Sequence, residues 1–174
     1  MKKVIVYFHG FGSSSNSTKV SRLRKARDSA VYAWDIDVDP SKSIPELLSH
    51  IDNNVMLHKL HKPCEIVFVG TSLGAWYASK LADLYGVTAI LINPAYNPAK
   101  SLQKYNLDVT ITSQYDEISW NTRHKYFIAK NDEVIDFSAV QKRLAEVDAV
   151  MVDSKNHRFD GTEFEMVIDA INCM

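Results

Sequence analysis

An α/β fold, with a mainly parallel sheet flanked by helices on both faces, is predicted here by three observations. Apolar, β-branched runs of about five or six residues alternate with helix-like segments along all 174 residues, the pattern of successive βα units. The runs empty into clusters of turn formers, as at His9-Gly10-Phe11-Gly12 and Asn93-Pro94. The third observation is Gly70-Thr71-Ser72-Leu73-Gly74, set between the run 64–69 and the Ala- and Leu-rich stretch 75–82.

Taken in order, residues 4–8 read as the first strand, opening into a loop that continues through Ser13-Ser14-Ser15-Asn16-Ser17. Thr18 is placed to cap a helix over 19–28, with Val20, Leu23 and Ala26 inward. Lys19, Arg22, Arg24, Lys25 and Arg27 then form a cationic face, read as solvated rather than as a ligand site. A second strand is expected over 30–36, with Asp35, Asp37 and Asp39 as polar strand-end residues. They lack the following Gly and distant Glu of a calcium loop. Ser43-Ile44-Pro45-Glu46 has the form of a capping box, predicting a helix from there to about residue 61. Its apolar stripe is Ile44, Leu47, Leu48, Ile51, Val55 and Leu60.

The run 64–69 is the next strand and 75–82 the helix after it. Residues 87–92 form a further buried strand. The segment 99–124, with Tyr105, Tyr115 and Trp120, fits short helices or a small flap. Strand 125–129, helix 137–146, strand 149–152 and helix 162–171 complete the chain. No repeat or linker divides it, and one domain spanning 1–174 is expected.

Composition narrows the function classes. The chain is 46% hydrophobic and 24% charged with a formal net charge of −1, a balance that gives no basis for a nucleic-acid or anionic-membrane partner. Two cysteines, Cys64 and Cys173, do not make a disulfide framework and favour a reducing compartment. The apolar run after Met1-Lys2-Lys3 is only five residues long, too short for a signal-peptide core. No run has transmembrane length, so a cytoplasmic protein is expected.

Chemistry concentrates at Ser72. A G-x-S-x-G turn between strand and helix is a nucleophile elbow, which strains the serine backbone and projects its hydroxyl from the end of the sheet. Leu73, at the helix start, offers an unpaired N–H to an oxyanion. A serine nucleophile needs a base, and the base an orienting acid, arriving in the chain order Ser, acid, His. Of six histidines, His50, His58 and His61 precede the elbow on a helix, His9 lies in the first loop, and His124 precedes a strand. His157 alone follows the last strand. Asp132 follows strand 125–129 and is the expected acid, with Glu133 and Asp136 as rivals. The loop after the first strand should supply a second oxyanion donor, the backbone N–H of Phe11. Read as a phosphate cradle, that loop fails, because G-x-G-x-x-G would need glycine where Ser15 stands. His58 and His61 could share a metal but have no third ligand nearby in sequence.

The ordered set of the His-Gly-Phe loop, Gly-Thr-Ser-Leu-Gly elbow, Asn93-Pro94-Ala95, Asn131-Asp132-Glu133 and Asn156-His157-Arg158-Phe159 resembles the α/β-hydrolase superfamily. With the short chain and the serines after Phe11, it is similar to the small YqiA/YcfP-like bacterial esterases. The resemblance spans nearly the whole chain and implies a minimal α/β-hydrolase fold, without early strands or a long lid. It also implies a carboxylesterase-type serine hydrolase whose triad positions match Ser72, Asp132 and His157. The expected reaction is cleavage of a small carboxylic ester or thioester, with no metal or organic cofactor. Phe11, Tyr96, Trp120 and Phe159 are candidates to line the acyl pocket, each equally plausible as core. An acyltransferase or peptidase using the same triad, or a binding module that kept the fold, are the alternatives.

Overall fold

The computed structural model describes residues 2–26, 30–154 and 156–174. Its centre is a six-stranded sheet in the order β2-β1-β3-β4-β5-β6. The strands are β1 (Lys3–Phe8), β2 (Ala30–Ala33), β3 (Glu65–Thr71), β4 (Thr88–Ile92), β5 (Lys125–Ala129) and β6 (Asp148–Val152). Every adjacent pair is parallel. The expected minimal α/β fold is therefore present, with an all-parallel, open sheet.

Because side chains alternate along a strand, β1 and β3 feed two different cores. Val4, Val6, Phe8, Ile66 and Phe68 face one side. There α2 (Pro40–His50), a wider helical turn at Ile51–Met56, α3 (Leu57–His61) and α4 (Leu73–Tyr85) run. Ile5, Tyr7, Val67 and Val69 face the other side, covered by α1 (Thr18–Ala26) and α8 (Glu163–Cys173). Burying each such large apolar side chain is worth roughly 1.5–3 kcal/mol. Lys3 ties the first strand to the last helix, its buried Nζ donating to the carbonyls of Ile171 at 2.5 Å and Met174 at 2.6 Å.

Several element boundaries differ from expectation. The second strand stops at Ala33, not residue 36. The capping box at Ser43 is not used: Asp39 caps α2, its carboxylate accepting the Ser41 N–H at 3.0 Å, with Pro40 opening the helix. Asp39 is a cap, not a strand-end residue, because an N-cap aspartate followed by proline satisfies the orphan donors first. The Ser43 hydroxyl instead donates to the Asp37 carbonyl, and Pro45 falls inside the helix. The helix expected over 137–146 is reduced to a short turn at Ser138–Val140 and α7 (Gln141–Leu144). The end of the helix expected over 19–28 falls on residues 27 and 28, outside the described residues.

The segment 99–124 folds as α5 (Pro98–Ser101), a turn at Gln103–Tyr105 and α6 (Val109–Thr112). Side chains strap it down. Tyr115 is buried against Trp76 with ring centroids 4.7 Å apart, its hydroxyl donating to the Val38 carbonyl at 2.6 Å. The Trp76 indole N–H reaches the Asp116 carbonyl at 2.9 Å. Further along, Ser119 and Asn121 both donate to the Asp83 carboxylate.

Candidate active site

Strand order dictates where a site forms. From β1 the chain runs outward to β2 on one side and returns to β3 on the other, and in an open parallel sheet the crevice lies at the carboxyl ends of such a switch point. At that end, β1 opens into the loop from His9 and β3 into Ser72.

Ser72 bridges β3 and α4 with φ 55° and ψ −120°, a left-handed conformation that strains any residue with a Cβ. The flanking glycines are steric necessities. A Cβ on Gly74 would fall inside contact distance of the Phe8 and His9 carbonyl oxygens, and one on Gly70 would overlap the Gly74 and Ala75 backbone. The helix thus starts directly against β1. Main-chain bonds brace the turn: the Ser72 N–H donates to the Ile92 carbonyl at 2.9 Å, and the Ser72 carbonyl accepts from Ala95 N–H at 3.1 Å.

His157 lies on the loop after β6. Its Nε2 is 2.8 Å from Ser72 Oγ and its Nδ1 is 2.7 Å from Asp132 Oδ2. A carboxylate oxygen only accepts, so Nδ1 carries the proton and Nε2 is left to accept from the serine hydroxyl. Asp132 is held in turn: its Oδ1 accepts the N–H groups of Val134 and Ile135, both at 2.8 Å. The rival acids serve elsewhere. Glu133 Oε2 accepts the His157 backbone N–H at 2.8 Å, and Asp136 accepts the Ser138 N–H at 2.8 Å.

Asn93 is a member of the site that sequence reasoning missed. It is fully buried at φ 43°. Its Nδ2 donates to the His157 carbonyl at 2.8 Å, and its Oδ1 accepts the Ala129 N–H at 2.7 Å. Asn93-Pro94-Ala95 stood out in the sequence, but nothing in the pattern said that Asn93 grips the histidine loop and Ala95 the serine.

Among the described residues, His157 is the one histidine bonded to the Ser72 hydroxyl. His9 accepts the Ile36 N–H at Nε2 (3.0 Å), and its Nδ1 faces the Gly10 carbonyl (2.9 Å), pinning the first loop as a neutral ring. His50 stacks on Trp34 at 5.0 Å. His124, buried near the amino ends of β4 and β5, accepts the Ala89 N–H at 3.3 Å.

A cavity of about 490 Å³ opens beside Ser72 and His157, with Phe11, Leu73, Leu102, Tyr105 and Ile135 among its walls. Phe11 stands at its mouth, ring centroid 4.7 Å from that of Tyr105. The other three aromatics expected to line it do not. Phe159 is fully buried in the α1/α8 core, packing on Phe127 at 6.4 Å. Tyr96 and Trp120 pair with each other at 6.2 Å, Trp120 stacks on Tyr126 at 5.4 Å, and the Tyr96 hydroxyl is spent on the Asp136 carbonyl. The rest of the apolar lining comes from Leu73, Ala95, Leu102, Tyr105, Val134 and Ile135, several of which approach only through tertiary packing.

The model of an uncharacterised protein family, UPF0227, matches residues 4–172. A UPF0227 protein of Vibrio campbellii is 23% identical over 172 residues, covering 90% of this chain and 91% of that one. One from Shewanella woodyi is 23% identical over 169 residues, with the same coverage. Among solved structures, Est1E from Butyrivibrio proteoclasticus superimposes with TM-score 0.71 at 16% identity, covering 98% of this chain and 85% of that chain. Mouse alpha/beta hydrolase domain-containing protein 10 gives TM-score 0.69 at 16% identity, covering 98% and 88%. The esterase PF2001 of Pyrococcus furiosus gives 0.68 at 16% identity, covering 98% and 80%. These likenesses establish an α/β-hydrolase fold.

Proposed function

The chain belongs to the UPF0227 family, and from that premise and the geometry at Ser72 we propose that it is a serine hydrolase cleaving a small carboxylic ester or thioester. The observation that carries the reading is the unbroken hydrogen-bonded chain Ser72 Oγ–His157–Asp132 at 2.8 and 2.7 Å. A fold shared with the Pyrococcus esterase is in keeping with it.

In the proposed reaction Ser72 Oγ attacks the acyl carbon while its proton passes to His157 Nε2. Asp132 stabilises the imidazolium and holds its tautomer. The tetrahedral oxyanion receives the N–H groups of Leu73, at the start of α4, and Phe11, on the loop after β1. Removing one such donor typically lowers turnover by about 10²–10³. Collapse breaks the bond to the alkoxide or thiolate, which takes the proton from Nε2. Water then attacks the acyl-enzyme with His157 as base, releasing the acid and restoring Ser72. The reading requires no cofactor. Both cysteines are free thiols, in keeping with a cytoplasmic setting.

Fluorophosphonate labelling read by intact mass tests this. One adduct on the folded wild type, absent from Ser72→Ala and His157→Ala, is the expected result. A folded wild type that takes up no adduct would overturn the reading.

A further inference from the structure

The cavity beside Ser72 is chemically lopsided. Part of its wall is apolar, with Phe11, Leu73, Leu102, Val134 and Ile135. Another part is polar and charged, with Ser17, Thr18 and Lys19 at the start of α1 together with Tyr7, Arg158 and Asp160.

Lys19 is the unusual residue there. It is 9% exposed and lines the cavity, yet among the described residues it makes no hydrogen bond or ion pair. Its one marked neighbour is the Phe164 ring, 5.8 Å from Nζ. A nearly buried ammonium is expected to find a counter-charge. Burial holds Lys19 below the usual lysine range, opposed by the Asp160 and Glu163 carboxylates and reinforced by Arg22 and Arg158, none of them within ion-pair distance. Glu133, the other acid on the cavity wall, is engaged with the His157 N–H.

A second, independent observation lies beside it. The Ser17 carbonyl accepts the Ser21 N–H at 3.1 Å, opening the helix. The Ser17 hydroxyl caps nothing: it is buried with no partner in hydrogen-bond geometry among the described residues, and it lies near enough to the Tyr7 hydroxyl to lower that group's pKa slightly. Tyr7 is bonded to Thr71 Oγ1 at 3.1 Å, and burial pushes it up to about 12, so it stays a donor at neutral pH. The first turn of α1 contains no acidic side chain, and its leading N–H groups have no intrahelical acceptor.

We infer that the substrate hydrolysed at Ser72 carries an anionic oxygen group, a carboxylate or a phosphate, received by Lys19 and Ser17 at the α1 end of the cavity. The inference rests on the hydrolase reading and supplies its substrate class. Such an anion would give the buried ammonium its missing partner and the Ser17 hydroxyl an acceptor, while the scissile acyl group lies against Ser72.

The test compares matched p-nitrophenyl esters: valerate against hydrogen glutarate, and valerate against the 4-phosphonobutyrate. A charge-assisted contact of this kind predicts kcat/KM about 10- to 100-fold higher for the charged member. Lys19→Met should abolish most of that preference, and Lys19→Arg should restore part of it. Which charged ester is preferred distinguishes carboxylate from phosphate. Equal rates on charged and neutral esters, or a preference that survives Lys19→Met, would overturn the inference. Should Lys19→Met fail to fold, the wild type still decides. Glutarate or inorganic phosphate should compete with the neutral ester, and an absence of competition for both overturns the proposal. Fluorophosphonate labelling of the same preparations separates the two readings: adduct without anion preference removes only the subsite, whereas no adduct removes the hydrolase.

Discussion

The side-chain amide of Asn93 donates to the backbone carbonyl of His157 at 2.8 Å, while Glu133 receives the N–H of the same residue at 2.8 Å. His157 is therefore gripped at both ends of its main chain and at Nδ1, on a loop whose described residues form no helix or strand. Asn93→Ala leaves that carbonyl and the Ala129 N–H unpaired in the interior, a loss of about 1–3 kcal/mol for each group. The expected outcome is a clearly lower melting temperature together with slower fluorophosphonate labelling. Labelling at the wild-type rate would show that the loop holds without it.

Adjacent acids should part company in function. Asp132→Asn keeps an oxygen for the Val134 and Ile135 amides but removes the acceptor at Nδ1, forcing the wrong imidazole tautomer. By the serine-protease precedent kcat should fall about 10⁴-fold. Glu133→Gln keeps an acceptor for the His157 N–H and should stay within about tenfold of wild type, as a preserved neutral hydrogen bond predicts. Ester hydrolysis by the two variants, measured side by side, checks the assignment. Comparable losses would contradict it.

Ser72 occupies φ 55° and ψ −120°, a sparsely populated region where a residue with a Cβ is strained by roughly 1–3 kcal/mol. Ser72→Gly should therefore melt higher than wild type while losing all labelling. A lower melting temperature would mean that the bond to His157 outweighs the backbone strain.

Burial lowers the affinity of His124 for its proton, opposed by the Asp83 carboxylate and reinforced by Arg123. The sign follows. The folded state binds fewer protons than the unfolded state, so the contribution of this group is complete above its ordinary value of 6.5 and is lost as pH falls below it. Relative to His124→Asn, whose side-chain oxygen can still accept the Ala89 N–H, the wild type should lose stability on going from pH 8 to pH 5. An unchanged difference between the two proteins at both pH values would exclude His124 as the source.

Legibility differed between local and assembled features. The elbow was readable because its requirements are local: strand, two small residues, serine and helix occupy the 19 consecutive positions 64–82. Asp132 was the expected acid but Glu133 stayed a rival, because the two are adjacent and only the path of the loop after β5 turns one to Nδ1 and the other to a backbone amide. Lys19 read as part of a solvated cationic face. Docking of α1 beside α8 and Phe164 is what encloses it.

By itself, the sequence determined the alternation of buried strands and helices, the strained serine turn and the chain order of Ser72, Asp132 and His157, since these depend on periodicity, glycine sterics and sequence position. Tertiary structure alone decided what depends on segments distant in the chain meeting. It placed Asn93 under the histidine loop and Phe159 in the core rather than the cavity. It also enclosed the Lys19 ammonium on the cavity wall with no ion pair among the described residues. Those outcomes follow from packing and from pairing buried polar groups, which no single stretch of sequence specifies.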